Sequence, residues 1–227
     1  MTLFSVLLVI LCGCMWGYIL HRCAQYLIRG GIKQEGPCSD VTTLVMAALF
    51  TPFLCLLTII FFAPWYQPAV ILFCSILLVA SFTDVQTLLI SRFTSLFLVP
   101  IGWLCAWLGF IPVSLGYSVL GSVAGYSMLS VVAFLFYAMT KKQGLGQGDS
   151  DLLALIGAFT GSAGVWFSVL YGSILGALVG TMLLLIRKAS RSTPLPFAPF
   201  LTLGVFLYLF GQPFLARCFM PGHLVLL

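Results

Sequence analysis

The chain has 227 residues, 62% of them hydrophobic and only 7% charged, with a formal net charge of +5. A soluble domain carries roughly 25% charged residues, and no soluble core hides this much apolar surface, so the surplus faces lipid and the protein is integral to a membrane. The basic residues are scattered over separate connections without interleaved aromatics, which excludes a nucleic-acid footprint.

A helix needs about 20 apolar residues to cross the bilayer core. In chain order, the apolar runs near 3–20, 44–62, 69–83, 93–111, 117–139, 151–163, 165–186 and 197–212 predict an all-α, polytopic transmembrane bundle of about eight spans. No polar stretch is long enough for a separate soluble domain, so residues 1–227 read as one domain. The first run, MTLFSVLLVILCGCMWGYIL, lacks the basic n-region and small-residue cleavage site of a signal peptide and reads as a retained span. The third and sixth runs are short, and each abuts an aspartate. The runs at 151–163 and 165–186 form either two spans or one broken element. Glycines recur at four-residue spacing in three places: Gly121 with Gly125, Gly157 with Gly161, and Gly172 with Gly176 and Gly180. On a membrane helix such a stripe lets backbones approach closely.

Lys and Arg set the orientation. With the N-terminus outside, the cytoplasmic connections hold Arg22, Arg29 and Lys33, then Arg92, then Lys141 and Lys142, then Arg187, Lys188 and Arg191; of the ten basic residues only Arg217 falls outside. The positive charge is thus an orientation signal and an attraction to anionic lipid. Cys12, Cys14, Cys55, Cys74 and Cys105 lie inside apolar runs and act as small hydrophobes. His21, Cys23 and Cys38 lack the closely spaced ligand pairs that tetrahedral zinc requires, and there is no C-x-x-C, so neither a metal nor a cofactor is expected.

Acids are scarce: Glu35, Asp40, Asp84, Asp149 and Asp151 are the complete set. Asp84 ends the third run and Asp149 precedes the sixth, so the predicted topology sets both at the cytoplasmic edge. Ionisable groups at membrane depth face the bundle interior or a wet cavity. Two facing carboxylates share a proton, so that one acts as acid while the other draws a proton from water. Such a pair hydrolyses an amide without metal or covalent intermediate. Gly146 and Gly148, just before Asp149, permit backbone angles that other residues resist. The plainer reading is open beside this one: Asp149 and Asp151 cap the next helix, and Asp84 is a satisfied residue at a helix end. The stretch is a poor phosphate loop, because it lacks the Gly-Lys-Ser/Thr ending and no strand precedes it.

The stretch GLGQGDSDLLALIGAF resembles the G-x-G-D signature of the prepilin peptidases, intramembrane aspartic proteases of type IV pilus and type II secretion systems. SFTDVQTLLISRFT is similar to the family's first aspartate stretch, LPFAPFLTLG to its late proline-containing segment, and GCMWGYILHR to the end of its first span. The resemblance implies catalytic Asp84 and Asp149, shaped by Gly146, Gly148, Pro196 and Pro199. It implies a prepilin or pseudopilin substrate whose basic leader is cut after a glycine at the cytoplasmic face of the bacterial inner membrane. Water would enter through a gap near 84–92 and 144–150.

The departures are local. Ser91 and Arg92 stand where the family has a Pro-Asp or Pro-Asn step, Asp151 where it has a lysine, and Gly17 where it has an asparagine. Many members have a large first cytoplasmic loop with two zinc-binding C-x-x-C pairs and methylate the new N-terminus. Here that connection, about 21–43, holds only Cys23 and Cys38, with Gly30 and Gly31 read as a flexible turn. Cleavage without zinc or methylation is therefore expected, with Asp151 as a helix cap. Two rivals are a proton-coupled transporter or channel subunit using the same acids, and an idle assembly protein that only binds pilins. His21 and His223 read as interfacial or loop residues. Trp65, Tyr66, Trp103, Trp107 and Trp166 read as interfacial or interhelical.

Overall fold

The computed structural model describes residues 3–31, 40–90, 92, 95–141, 146–186 and 195–219. Lys33, Glu35, Cys38, Ser91, Lys142, Arg187, Lys188, Arg191 and His223 lie outside the described residues. Everything described is helix or connection: α1 (Leu3–Gly31), α2 (Asp40–Phe61), α3 (Gln67–Thr87), α4 (Val99–Trp107), α5 (Leu115–Thr140), α6 (Gln147–Leu185) and α7 (Ala198–Phe219), with a 3-10 turn over Leu96–Leu98. Among the described residues α3, α5 and α6 are long and apolar enough to cross a membrane. Leu120, Phe134, Met139, Trp166 and Leu185 are exposed on them, the outward apolar surface that lipid requires.

Two features differ from the sequence reading, and a third decides between the alternatives it left open. α1 runs on through Gly30 and Gly31, which are helical residues and not a turn, and His21 is buried within it. The apolar run at 93–111 is not one long helix. Pro100 sits in the first turn of α4, and Gly109 takes a left-handed φ of 74° just past its end, leaving nine helical residues. At about 1.5 Å per residue that is about 14 Å, well short of the roughly 30 Å bilayer core. α6 breaks at Gly161, whose φ of 69° and ψ of −172° are open only to glycine. Asp149 and Ser173 line the same cavity, yet a straight helix would hold them about 36 Å apart. The break therefore folds α6 back on itself, into arms 147–160 and 162–185.

Glycine seams set the packing. A Cβ on Gly121 would stand 2.5 Å from the Gly157 carbonyl oxygen, and Gly125 abuts Leu153 and Ala154 in the same way, so α5 lies antiparallel on the first arm of α6. Gly172 meets Phe200 and Leu201, and Ser168 and Gly204 touch, so α7 lies antiparallel on the second arm. Ser118 Oγ donates to the Ala158 carbonyl, and Ser168 Oγ to the Leu201 carbonyl at 2.9 Å, which satisfies two hydroxyls that lipid could not. α3 packs beside the first arm of α6, with the rings of Phe73 and Phe159 stacked 4.6 Å apart at one end. The core between α3, α6 and α7 is dry, with Leu77, Leu152, Leu155, Ile156 and Leu201 wholly buried.

Candidate active site

Asp84 lies in the last turn of α3 and is 5% exposed. The helix stops directly after it. Leu88 adopts φ 54° and ψ 23°, and its N–H donates to the Asp84 carbonyl at 2.8 Å. A left-handed leucine costs about 1 kcal/mol or more, and the Thr87 hydroxyl steadies the turn by accepting from the Leu89 N–H at 3.3 Å. Asp84 Oδ2 accepts the backbone N–H of Ala198 at 2.9 Å. Ala198 is the first residue of α7, where free N–H groups and the positive end of the helix dipole favour an anion. Pro199 follows in the same first turn, where a missing N–H costs nothing. Thus the segment holding Pro196 and Pro199, far off in sequence, presents its helix start to Asp84. Ser81 and Thr202 hydroxyls, 2.8 Å apart, tie the same two helices one turn further in.

Asp149 is the third residue of α6 and is 9% exposed. Gly146 holds the N-cap position, and the Asp149 carboxylate, three residues on in the first turn, accepts the Gly146 backbone N–H, so Asp149 also helps to cap the helix; Asp151, the fifth helical residue, does not. The two glycines are not there for unusual backbone angles either. Gly146 has an ordinary extended φ of −72°, and Gly148 is not left-handed. Gly148 is needed for room, since a Cβ there would stand 2.8 Å from Ile90 Cβ; at Gly146 a Cβ would make ordinary contact, 3.5 Å from Asp149 Oδ2.

Asp84 and Asp149 line one cavity of about 580 Å³, within electrostatic reach of each other. Its other walls are Met128 and Val132 of α5, Val169 and Ser173 of the second α6 arm, and Leu195 and Phe197 before α7. Residues of both segments expected to admit water, Asp84 and Leu88 with Gly146 and Asp149, line this cavity; beside it the segments touch, Ile90 resting on Gly148 and an Arg92 terminal guanidinium N–H donating to Gln147 Oε1 at 2.7 Å. Asp151 stands outside the cavity lining, with Oδ2 3.6 Å from Arg92 Nε. The sequence reading used Arg92 for orientation alone. The signal for more was present, because Arg92 is the one charged residue between Asp84 and Lys141. The lining residues Val169 and Ser173 had no such signal, since only the fold-back at Gly161 brings them in.

The fold and site define an all-helical membrane protein with two buried carboxylates on a single cavity. Residues 71–181, the segment that carries both, match the type IV leader peptidase family. Over 194 residues, 83% of this chain and 62% of its relative, the chain is 31% identical to a prepilin leader peptidase/N-methyltransferase of Aeromonas salmonicida. Identity to the protein of that name from Aeromonas hydrophila is 33% over 160 residues, 70% and 55% of the two chains. With that of Pseudomonas putida it is 43% over 104 residues, 43% and 36%. The chain spans less than two thirds of these relatives' own lengths. No solved structure matches it. The segment that carries both acids is thus similar to the type IV leader peptidases, and residues 195–198, outside it, complete the site.

Proposed function

We propose that the chain is an aspartic endopeptidase that removes the short leader of type IV prepilins or pseudopilins, cutting after a glycine at the cytoplasmic face of the inner membrane. The observation that carries this reading is the shared cavity of Asp84 and Asp149 inside the family-matched segment. One carboxylate takes a proton from water as the oxygen attacks the scissile carbonyl, and the other carboxyl protonates the leaving amine. The proton belongs to the pair, so neither residue is assigned one part. The backbone at the start of α7, with the Ala198 N–H on Asp84 Oδ2, holds the Asp84 carboxylate in place at the cavity. The N-terminus outside the cytoplasm, with the basic connections inside, sets the acids where a leader junction would reach them. The substrate's apolar helix stays in lipid. Gly146 lines the cavity, Gly148 shapes it by leaving room for Ile90, and Pro196 and Pro199 lie in the segment whose helix start meets Asp84. The proposal covers cleavage only and is not extended to methylation.

A proton-coupled transporter would need a polar path away from the acids. Between Asp84 and the Phe73–Phe159 stack Leu77, Ala80, Leu152 and Ile156 are wholly buried, and the hydroxyls of Ser81 and Thr202 are tied to each other and carry no titratable group, which favours the peptidase. Co-expression with a prepilin, in a host lacking other leader peptidases, tests the reading. Asp84→Asn and Asp149→Asn are each expected to reduce leader removal by about 1,000-fold or more while the protein still folds. Proton flux through liposomes that depends on Asp84, without a peptide product, would transfer the acids to transport.

A further inference from the structure

The connection after α3 touches the start of α6 at three points within five residues. Ile90 lies on Gly148, and Arg92 donates to Gln147 Oε1 at 2.7 Å while its Nε faces Asp151 Oδ2 at 3.6 Å. Asp149 sits between Gln147 and Asp151. Asp151 is 2% exposed, and among the described residues its Oδ2 has no hydrogen-bond partner. The Arg92 guanidinium is therefore the charge that this buried oxygen faces. Breaking such a pair from one side leaves an uncompensated buried charge, which is far worse than never having had the pair. Asp84 is anchored on α7 and not on α6. The relative placement of the two acids thus depends on how the connection between 88 and 92 grips α6.

We propose that Arg92 is a positioning residue, a latch that joins Gln147 and Asp151 across the first turns of α6 and so fixes Asp149 opposite Asp84. Its side chain is 60% exposed and outside the cavity lining, so it acts through α6 and not on the substrate. The fork geometry of arginine is what reaches two partners at once; a lysine would serve the charge and lose the second contact. Gln147 keeps one arm of the latch when Asp151 loses its charge, so the two partners of Arg92 are not equivalent. The inference rests on the peptidase reading of the two acids.

The test is steady-state cleavage of a purified prepilin by the full chain in detergent or liposomes, with melting measured on each variant. Arg92→Ala is expected to lower kcat about tenfold with KM changed less than about twofold, the signature of lost alignment and not of lost binding. Asp151→Asn alone is expected to lose no more than about threefold. The double variant Arg92→Ala with Asp151→Asn should lose about tenfold, no more than Arg92→Ala alone, because both substitutions undo the same tie and their losses do not add. Arg92→Lys should fall between and provides the same kcat and KM split if Arg92→Ala fails to fold. Full kcat in Arg92→Ala overturns the latch, as does a loss confined to KM, which would mean direct substrate contact, or losses that add in full in the double variant. Asp84→Asn and Asp149→Asn run in parallel. If they cleave, the peptidase reading itself fails; if they are inactive while Arg92→Ala is unimpaired, only the latch fails.

Discussion

The two ends of the α3 and α6 pair are built on opposite principles. At one end Phe73 and Phe159 stack 4.6 Å apart in a dry interior, and beside them Gly121 and Gly157 bring α5 and α6 into backbone contact. At the other end Asp84 and Asp149 face a cavity of about 580 Å³. The dry end fixes register by shape. The wet end is held by polar ties to third elements: Asp84 to the start of α7, and α6 to Arg92. A cavity of this size leaves no room for a jigsaw, so alignment there has to come from the sides. The difference predicts that stability resides at one end and activity at the other.

Mutations can break that division. The largest effect on folding is expected from Gly157→Leu, which drives a side chain into the Gly121 backbone and should cost about 3 kcal/mol or more. Loss of folded protein in detergent melts checks it, and a normal melt would mean that α5 and α6 part more readily than the seam implies. Phe159→Ala should cost about 3 kcal/mol by opening a cavity under Phe73, with the folded fraction still cleaving. Gly148→Ala should reverse the pattern. It pushes on Ile90, costs about 1 kcal/mol in melting and lowers cleavage about tenfold through the acid alignment. The smallest effect is expected from Leu88→Gly, which relieves the left-handed turn after Asp84 and raises stability by at most about 1 kcal/mol. A large loss there would show that the Leu88 side chain, which lines the cavity, matters more than the turn.

Much of the wet end was legible because acids are so rare in this chain. Asp84 and Asp149 stood out with Asp151 as the one further carboxylate near either, and the hydropathy pattern located α2, α3 and α5 and the start of α7 within a few residues. The reasons behind the pattern were less visible. Gly148 reads as a flexible residue, but its requirement is the volume of Ile90, which no local signal encodes. The Ala198 N–H that holds Asp84 is a backbone donor, identical in every residue but proline, so only the fold reveals it. Hydropathy joined 93–111 into one span because it is blind to the left-handed Gly109 and to Pro100 and Pro112. Likewise, of several glycines at four-residue spacing, only Gly161 becomes a corner, and its neighbours become seams.

The central claim is that Asp84 and Asp149 act together on one water molecule at a leader junction. Its most direct test is mass spectrometry of a prepilin N-terminus after incubation with the purified chain and, in parallel, with Asp149→Asn. The account predicts a new N-terminus immediately after a glycine with the unaltered chain, and an intact leader with Asp149→Asn although that variant melts normally. The same new N-terminus produced at comparable rate by a folded Asp149→Asn would contradict it.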